Sequence, residues 1–264
     1  MKVTTKQIKE NKAVLLIEET KPYFVNALRR IMLAELPKLA IDDVIIYDNT
    51  SALFDEIISH RLSLIPIPTD LKSLNFRDQC TCKGKGCPSC TVRYTLSKEV
   101  EGTVYSKDLQ PEEKSFAIKE EQIPIVELSK DQRVILEVEA VLGRGRDHAK
   151  WQAVIAPGFK YYPKITIDQK LCDQCQECVD ICPKNILAIK DKKLIVTDLD
   201  QCTLCKSCME RCETKAISVE DDNTKFLFHF ETDGALTPQD AIDESIAILE
   251  EKYDSLNKQI SKLK

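Results

Sequence analysis

The sequence predicts an α+β protein of two or three compact units, and three features of the chain support this. Its 264 residues, of which 43% are hydrophobic, are enough to bury more than one core. Segments with strand and helix patterns lie near both ends of the chain. Between them, a cysteine-rich segment repeats itself after 30 residues. We therefore expect a small separate unit within a larger mixed fold.

The N-terminal segment predicts a strand followed by a helix. Residues 13–17 form a continuous apolar run, which is typical of a buried strand. Pro22 suits the first position of a helix, because the N–H that proline lacks has no partner there. One stripe of this helix is apolar and consists of Phe24, Leu28, Ile31 and Leu36. The helix is therefore amphipathic.

The C-terminal segment predicts a long helix with Thr237 as N-cap, Pro238 at the first position and Asp240 in the first turn. Seven apolar residues form a seam with alternating steps of four and three: Ile242, Ile246, Leu249, Tyr253, Leu256, Ile260 and Leu263. Burying them would contribute roughly 10 to 20 kcal/mol of gross stabilisation, so we expect the seam to be covered. The chain's own residues 12–36 are expected to cover part of it, and a partner helix the rest.

The cysteine-rich segment contains two copies of one motif. A shift of 30 positions superimposes the four cysteines of residues 172–182 on the four of residues 202–212. In each copy an apolar strand-like run, at 165–167 or 194–196, precedes the cysteines. A stretch of helix length and a second strand follow them. The shared arrangement predicts one unit with internal pseudo-symmetry.

The spacing of these eight cysteines resembles that of ferredoxins with two [4Fe-4S] clusters, in which the fourth cysteine of each copy binds the other cluster. The resemblance covers residues 164–221. It implies one cluster held by Cys172, Cys175, Cys178 and Cys212, and a second cluster held by Cys202, Cys205, Cys208 and Cys182. Two zinc sites or a set of disulfides remain alternatives. Glu213 follows Cys212 where ferredoxins usually have proline, so we expect a looser turn or a more labile cluster there.

A third cysteine group lies upstream, in residues 80–90. It consists of Cys80, Cys82, Cys87 and Cys90, separated by glycine and proline residues that favour tight turns. Four thiolates with no open position are typical of a structural zinc site. A metal-free loop, a partly disulfide-linked loop and a redox role remain alternatives.

The composition excludes several classes of protein. A net charge of −5 argues against a protein that coats nucleic acid, and we expect no sequence-specific DNA contact. The polar first ten residues and the lack of an apolar run of about 18 residues predict neither a signal peptide nor a membrane span. Twelve cysteines without a secretion signal favour metal ligands over disulfides and indicate a cytoplasmic protein.

Motifs that would indicate catalysis are weak. Residues 143–151 lack the ending of a P-loop and the third glycine of a dinucleotide site. Asp55, Glu56, His60 and Arg61 fall on one predicted helix, where structural contacts are favoured over acid–base chemistry. The scattered aspartate pairs do not suggest a site that could bind Mg²⁺ for phosphoryl transfer. We therefore expect no catalytic residue in this chain.

Three segments resemble one protein family: FVNALRRIMLAELPKLAIDDV, LFDEIISHRLSLIPIP and LEVEAVLGRGRDHAKWQAV. They are similar to stretches of the larger alpha-like subunit of archaeal DNA-directed RNA polymerase, a relative of the bacterial alpha subunit. Together with the ferredoxin-like segment, the resemblance covers essentially the whole chain.

The resemblance implies three domains. A discontinuous dimerisation domain like that of the alpha subunit would comprise residues 1–46 and 222–264. A mostly β insert domain would comprise residues 47–163 and carry the cysteine loop. A ferredoxin-like [4Fe-4S] domain would comprise residues 164–221.

The resemblance also implies partners. The dimerisation domain would pair with the smaller subunit L through its helices. Asn26, Arg29 and Arg30 would contact a large catalytic subunit, since the planar guanidinium group suits such contacts. From the residues alone, these three side chains would be interpreted as a solvated helix face.

The implied function is a non-catalytic assembly platform of the polymerase, with two [4Fe-4S] clusters in a structural or redox-sensitive role and one structural zinc ion. The eight cysteines alone would favour an alternative, an electron-transfer subunit of an oxidoreductase complex. Nothing else in the chain suggests a flavin or nicotinamide site, which argues against it. A zinc-containing interaction protein unrelated to transcription is a third possibility.

Overall fold

The computed structural model describes residues 1–263 and confirms the predicted α+β class. The α-helices are α1 (Pro22–Ala34), α2 (Asp55–Ser63), α3 (Glu177–Asp180), α4 (Ser207–Arg211) and α5 (Pro238–Ser261). The strands are β1 (Lys2–Lys9), β2 (Lys12–Glu18), β3 (Pro37–Asn49), β4 (Thr91–Lys98), β5 (Gly102–Tyr105), β6 (Gln110–Pro111), β7 (Pro124–Leu128), β8 (Val134–Arg144), β9 (Val154–Ile167), β10 (Leu187–Lys190), β11 (Lys193–Val196) and β12 (Ile217–Thr232). Among these helices, none has both the length and the apolar character needed to cross a bilayer.

The chain divides into two compact units. The first unit comprises residues 1–7, 13–26 and 158–229. The second unit comprises residues 8–12 and 27–157 and continues from residue 230 to the end of the described chain. The domain boundaries expected from the sequence stay predictions.

The first unit contains a sheet with the strand order β1-β2-β12-β9 and a separate hairpin of β10 and β11. The hairpin pairs antiparallel from Leu187 and Val196 to Lys190 and Lys193. Its two turn residues, Asp191 and Lys192, have φ values of 49° and 55°, as a two-residue turn that matches the twist of the strands requires. Buried aliphatic side chains pack with the cysteines in one small core.

The 30-residue repeat is visible in the backbone of the first unit. In each copy a strand leads into the cysteine loop, and a short helix, α3 or α4, leads into the next strand. Three pairs of residues 30 positions apart adopt the left-handed conformation: Gln174 and Leu204, Gln176 and Lys206, and Asn185 and Lys215. The predicted pseudo-symmetry is therefore present in the local conformation.

The second unit contains a sheet with the order β3-β8-β4-β6 and a hairpin of β5 and β7. Strands β3 and β8 pair antiparallel along their whole length, with irregularities at Ile41/Asp43 and Ile46/Asp48. Alternate residues of β8, from Val134 to Ala140, are buried, as their apolar alternation indicates. Helix α2 buries Ile58 and Leu62 in the same core.

The start of α5 is held by polar contacts within the second unit. The Thr237 hydroxyl accepts a hydrogen bond from the Asp240 N–H (3.1 Å), which confirms the predicted N-cap. Just before the helix, the Asp233 carboxylate forms an ion pair with Lys38 and accepts a hydrogen bond from the Ala235 N–H (3.0 Å). The Ala235 carbonyl in turn accepts from the Thr69 N–H (2.9 Å).

Candidate metal centres and interface helices

The cysteine loop of residues 80–90 brings its four thiols together. The Sγ atoms of Cys80, Cys82, Cys87 and Cys90 all lie within 4.8 Å of one another. Three of the separations are 3.5, 3.6 and 3.8 Å. Tetrahedral zinc with Zn–S bonds of about 2.3 Å places its sulfurs about 3.8 Å apart. The loop therefore fits a single ion closed by four thiolates.

Two features of the surrounding sequence position this loop. Gly84 and Gly86 have φ values of 80° and 84°, a conformation that favours glycine. Arg77 donates to the Gly84 carbonyl (3.2 Å), and its guanidinium group also pairs with Asp43 and Glu139 on the sheet, each at 3.2 Å. The loop is thus tied to β3 and β8. Sequence reasoning missed this contact, because an arginine in a loop does not indicate its partners.

The thiols of the loop differ in acidity because they share hydrogen bonds. Burial acts to raise the pKa of Cys82, but hydrogen bonds from Cys90 and Cys80 outweigh it and lower the pKa to about 6. The hydrogen bond with Cys80 instead raises the pKa of Cys87 to about 11. A bound cation would favour the thiolate form of all four ligands, so metal binding would release protons.

The other eight cysteines line two small cavities in the first unit. Cavity A is lined by Cys172, Cys175, Cys178 and Cys212. Cavity B is lined by Cys182, Cys202, Cys205 and Cys208. Each cavity thus brings together one of the two predicted ligand sets, including the fourth cysteine from the other copy of the repeat.

The two cavities suit a larger group than a single ion. Within residues 1–263, no group of three or more His, Cys, Asp or Glu side chains other than the 80–90 loop brings its donor atoms within 4.8 Å of one another. The thiols of cavities A and B are therefore more widely spaced than tetrahedral zinc requires. A cubane iron-sulfur cluster, which binds one thiolate at each iron corner, needs such a spread.

In each cavity, the pKa of one buried cysteine is affected by the other three cysteines of the same cavity. Burial, together with the other three cysteines of cavity B, raises the pKa of Cys208 to about 11. Burial also raises the pKa of Cys178, and the other three cysteines of cavity A add to this effect. In each cavity the neighbouring thiolates thus oppose ionisation of that buried cysteine, and a cationic cluster core bound between them would offset this effect.

Helix α5 presents much of its apolar seam to solvent. Leu249 is buried and Ile242 is half-buried, whereas the remaining five seam residues are 45% to 87% exposed: Ile246, Tyr253, Leu256, Ile260 and Leu263. From residue 250 to 263 every residue is exposed. The Lys252 Nζ atom forms an ion pair with the Glu35 Oε1 atom at 3.4 Å, and Glu35 is the residue after α1. Part of the seam is thus covered by the chain itself, and the C-terminal part is open.

The three polar residues expected to contact a large partner lie on α1. Arg30 is exposed, whereas Asn26 and Arg29 are half-buried and interact with other groups of the chain. On the same helix Leu28 and Ile31 are buried, as the predicted stripe indicates, and Phe24 is half-buried. Of the three, Arg30 is the most available to a partner.

Sequence reasoning also missed a polar network beside cavity B. Asp200 accepts hydrogen bonds from the Tyr162 hydroxyl (2.8 Å) and the Lys6 ammonium group (3.0 Å). Lys160 donates to the backbone carbonyls of Asp200 and Cys202. Burial lowers the pKa of Lys160, although Cys202 and Asp200 act to raise it. The network ties the Cys202 loop to β9 and β1.

Comparison with protein families and known proteins agrees with this arrangement. The family model of the RNA polymerase Rpb3/RpoA insert domain matches residues 44–163, and that of the 4Fe-4S dicluster domain matches residues 171–216. Proteins named DNA-directed RNA polymerase subunit Rpo3 are 40% identical in Methanosphaera stadtmanae, 39% in Methanothermobacter thermautotrophicus and 35% in Picrophilus torridus. Each alignment covers 97% of this chain and 97% or 98% of the relative.

The two domain matches define the class: an RNA polymerase subunit of the alpha type whose chain also carries a dicluster domain. Because the similarity to the relatives extends over almost the full length, the chain belongs to the family of DNA-directed RNA polymerase subunit Rpo3. The resemblance inferred from three short segments is thereby confirmed. An electron-transfer subunit is not favoured, because the similarity is not confined to the cysteine repeat.

Proposed function

We propose that this protein is a non-catalytic assembly platform of a cytoplasmic DNA-directed RNA polymerase. It pairs with a smaller alpha-like subunit, subunit L, and organises the large subunits that hold the active site. The observation that supports this most directly is the full-length similarity to Rpo3 proteins, with both the insert domain and the flanking segments included. The chain belongs to a nucleotidyltransferase complex without supplying a catalytic residue.

The exposed part of the α5 seam supports pairing with a helical partner. Four of its side chains, Ile246, Tyr253, Leu256 and Ile260, are each about half exposed. Complete burial of such a side chain contributes about 1.5 to 3 kcal/mol, so covering the exposed half of all four would contribute roughly 3 to 6 kcal/mol. This would strengthen association by a factor of roughly 10² to 10⁴.

The metal centres fit a structural role within this platform. Cavities A and B would each hold one [4Fe-4S] cluster, and residues 80–90 would hold one zinc ion. A cluster in either cavity crosslinks the two copies of the repeat, because its fourth ligand comes from the other copy. Cluster binding would therefore be linked to folding of residues 164–221. A redox-sensitive role is compatible with the same ligands.

Two matched variants test the pairing. The chain is expressed with a tag in its native cells, purified anaerobically, and its partners are identified by mass spectrometry. Leu256→Glu places a charge on the seam, whereas Asn257→Glu places one on an adjacent exposed position. We expect Leu256→Glu to lose the small alpha-like subunit and Asn257→Glu to retain it. Equal retention by both variants would contradict pairing through α5.

A further variant separates pairing from recruitment of the large subunits. Arg30→Glu reverses an exposed charge on α1, and Lys21→Glu reverses one just before that helix. We expect Arg30→Glu to keep the small partner but to lose the large subunits, and Lys21→Glu to keep both.

The metal content of the wild-type protein is measured in the same purified sample. About eight iron and one zinc per wild-type chain would support the proposed metal content. Recovery of oxidoreductase subunits in place of polymerase subunits would refute the platform.

A further inference from the structure

We propose that the two iron-sulfur sites differ in lability, so that the cluster of cavity A is released before that of cavity B. This inference rests on the proposed presence of a cluster in each cavity. In the sequence the cysteines of the two sites repeat with the same spacing, and the residue after Cys212, Glu213 in place of proline, is the first sign that the sites differ. In the structure they differ in burial, in the attachment of their loops and in the charge of their walls.

The first difference is the burial of the thiols. In cavity B three of the four cysteines, Cys182, Cys202 and Cys208, are buried. In cavity A only Cys178 is buried, whereas Cys172 and Cys212 are half-buried and Cys175 is exposed. Water and small chelators can therefore approach more of the iron-thiolate bonds in cavity A.

The second difference is the attachment of the cysteine loops. The loop before Cys202 is tied to β9 and β1 through Asp200, which accepts from Tyr162 and Lys6, and through Lys160, which binds the carbonyl of Cys202 itself. The equivalent residue in the first copy is Lys170, a cation that cannot accept these hydrogen bonds.

The loop before Cys172 thus lacks the Asp200 contacts and is held instead by the Asp168 N–H, which donates to the Ala216 carbonyl (2.8 Å), and by the Gln169 side chain. This side chain exchanges two hydrogen bonds with the backbone of Leu194, at 2.7 and 3.3 Å. Cys212, the fourth ligand of cavity A, is followed by Glu213 where Cys182 is followed by Pro183. Proline restricts the backbone after a ligand, so the turn at Cys212 is the less constrained of the two.

The third difference is the charge of the cavity walls. A cluster bound by four thiolates carries net negative charge, and nearby charges tune its properties. Lys184 and Lys206 line cavity B, whereas Asp173 lines cavity A and Gln176 occupies the position equivalent to Lys206. Cations therefore favour the bound cluster in cavity B, and a carboxylate disfavours it in cavity A.

The three differences act in the same direction. Loss of the first cluster would leave a defined state in which cavity B is filled and the Cys202 loop is still attached to the sheet. The protein would then have a form with one cluster between the fully loaded form and the metal-free form.

Release of iron to a chelator measures this difference directly. The full-length chain, loaded and kept anaerobic, is mixed with excess bathophenanthroline disulfonate, and iron, sulfide and visible absorbance are followed with time. We expect two phases of about equal amplitude, with rates that differ by about tenfold or more. Cys205→Ser, which removes a ligand of cavity B, should leave mainly the fast phase. Cys175→Ser, its counterpart in cavity A, should leave mainly the slow phase.

Two variants that keep all eight cysteines test the assignment without removing a ligand. Lys206→Gln and Gln176→Lys exchange residues at equivalent positions, both of which already have left-handed backbone. We expect Lys206→Gln to accelerate only the slow phase and Gln176→Lys to retard only the fast phase. A single phase in the wild type, or the reverse assignment in the cysteine variants, would overturn the inference while leaving two clusters in place. A chain that binds neither iron nor sulfide would overturn the proposed clusters as well.

Discussion

Replacing Lys38 by methionine tests whether one buried ion pair stabilises the segment that leads into α5. The Lys38 side chain is 4% exposed and that of its partner Asp233 is 15% exposed, so both charges have lost most of their water. Methionine keeps the length and the apolar stem of lysine but removes its charge. The Asp233 carboxylate would then remain buried without a cation.

The expected cost follows from this burial. Removing one partner of a buried ion pair typically costs about 3 to 5 kcal/mol, because the other charge stays desolvated. The pair of Lys12 and Glu231 provides the control, since its side chains are 46% and 53% exposed. For such an exposed pair, Lys12→Met should cost about 1 kcal/mol or less. In the double variant Lys38→Met/Asp233→Asn no buried charge remains, and asparagine can still accept from the Ala235 N–H, so much of the loss should be recovered.

Urea unfolding followed by tryptophan fluorescence measures these free energies. Trp151 is the sole tryptophan of the sequence and lies in the second unit, together with both ion pairs. Zinc is kept at constant excess, because ligand binding shifts the apparent stability. If Lys38→Met costs no more than Lys12→Met, or if the double variant recovers nothing, the ion pair does not stabilise this segment.

Three further predictions concern the second unit. A Cβ at Gly143 would lie 2.2 Å from the ring of Trp151, so Gly143→Ala should cost about 1 to 3 kcal/mol by overpacking and alter the fluorescence of the folded state; an unchanged urea midpoint would contradict this. A strong chelator should remove about one zinc per chain and make residues 80–90 sensitive to proteolysis, and Cys87→Ser but not Ser89→Ala should abolish zinc binding. Burial acts to raise the pKa of Asp108, but hydrogen bonds from Lys98 and the Tyr105 N–H outweigh it and lower this pKa. This carboxylate therefore contributes stability above its unfolded pKa, and the contribution is lost as the pH falls through the lower folded pKa. Asp108→Asn should thus destabilise the protein at pH 7 but not at a pH below both values, and a pH-independent difference would contradict this account.

Local features of the fold were predictable because they depend on residues close in sequence. Pro22 and Thr237 mark helix starts through their own backbone and side-chain chemistry, and the structure places α1 and α5 there. The resemblance to two-cluster ferredoxins implied which cysteines would meet, and each of the implied sets lines one cavity. The apolar alternation of β8 likewise matches its buried face, because it too depends only on neighbouring residues.

Contacts between distant segments were not predictable. Lys160 and Asp200 are 40 residues apart, and Arg77 and Glu139 are 62 residues apart. No pattern in either segment indicates such a partner, because the contact depends on the register and packing of whole strands. The α5 seam shows the same limit: Leu249 and Leu256 occupy equivalent positions of one heptad pattern, but only Leu249 is buried.

By itself, the sequence determined the class of fold, the three groups of cysteines and the family resemblance, because these follow from short-range spacing and from segments that act as units. The tertiary structure decided how the two cavities differ, which thiols water can approach and which part of α5 is left for a partner. Burial and electrostatic environment arise only when segments far apart in the chain pack together. Two motifs with the same cysteine spacing can therefore bind their clusters with different stability.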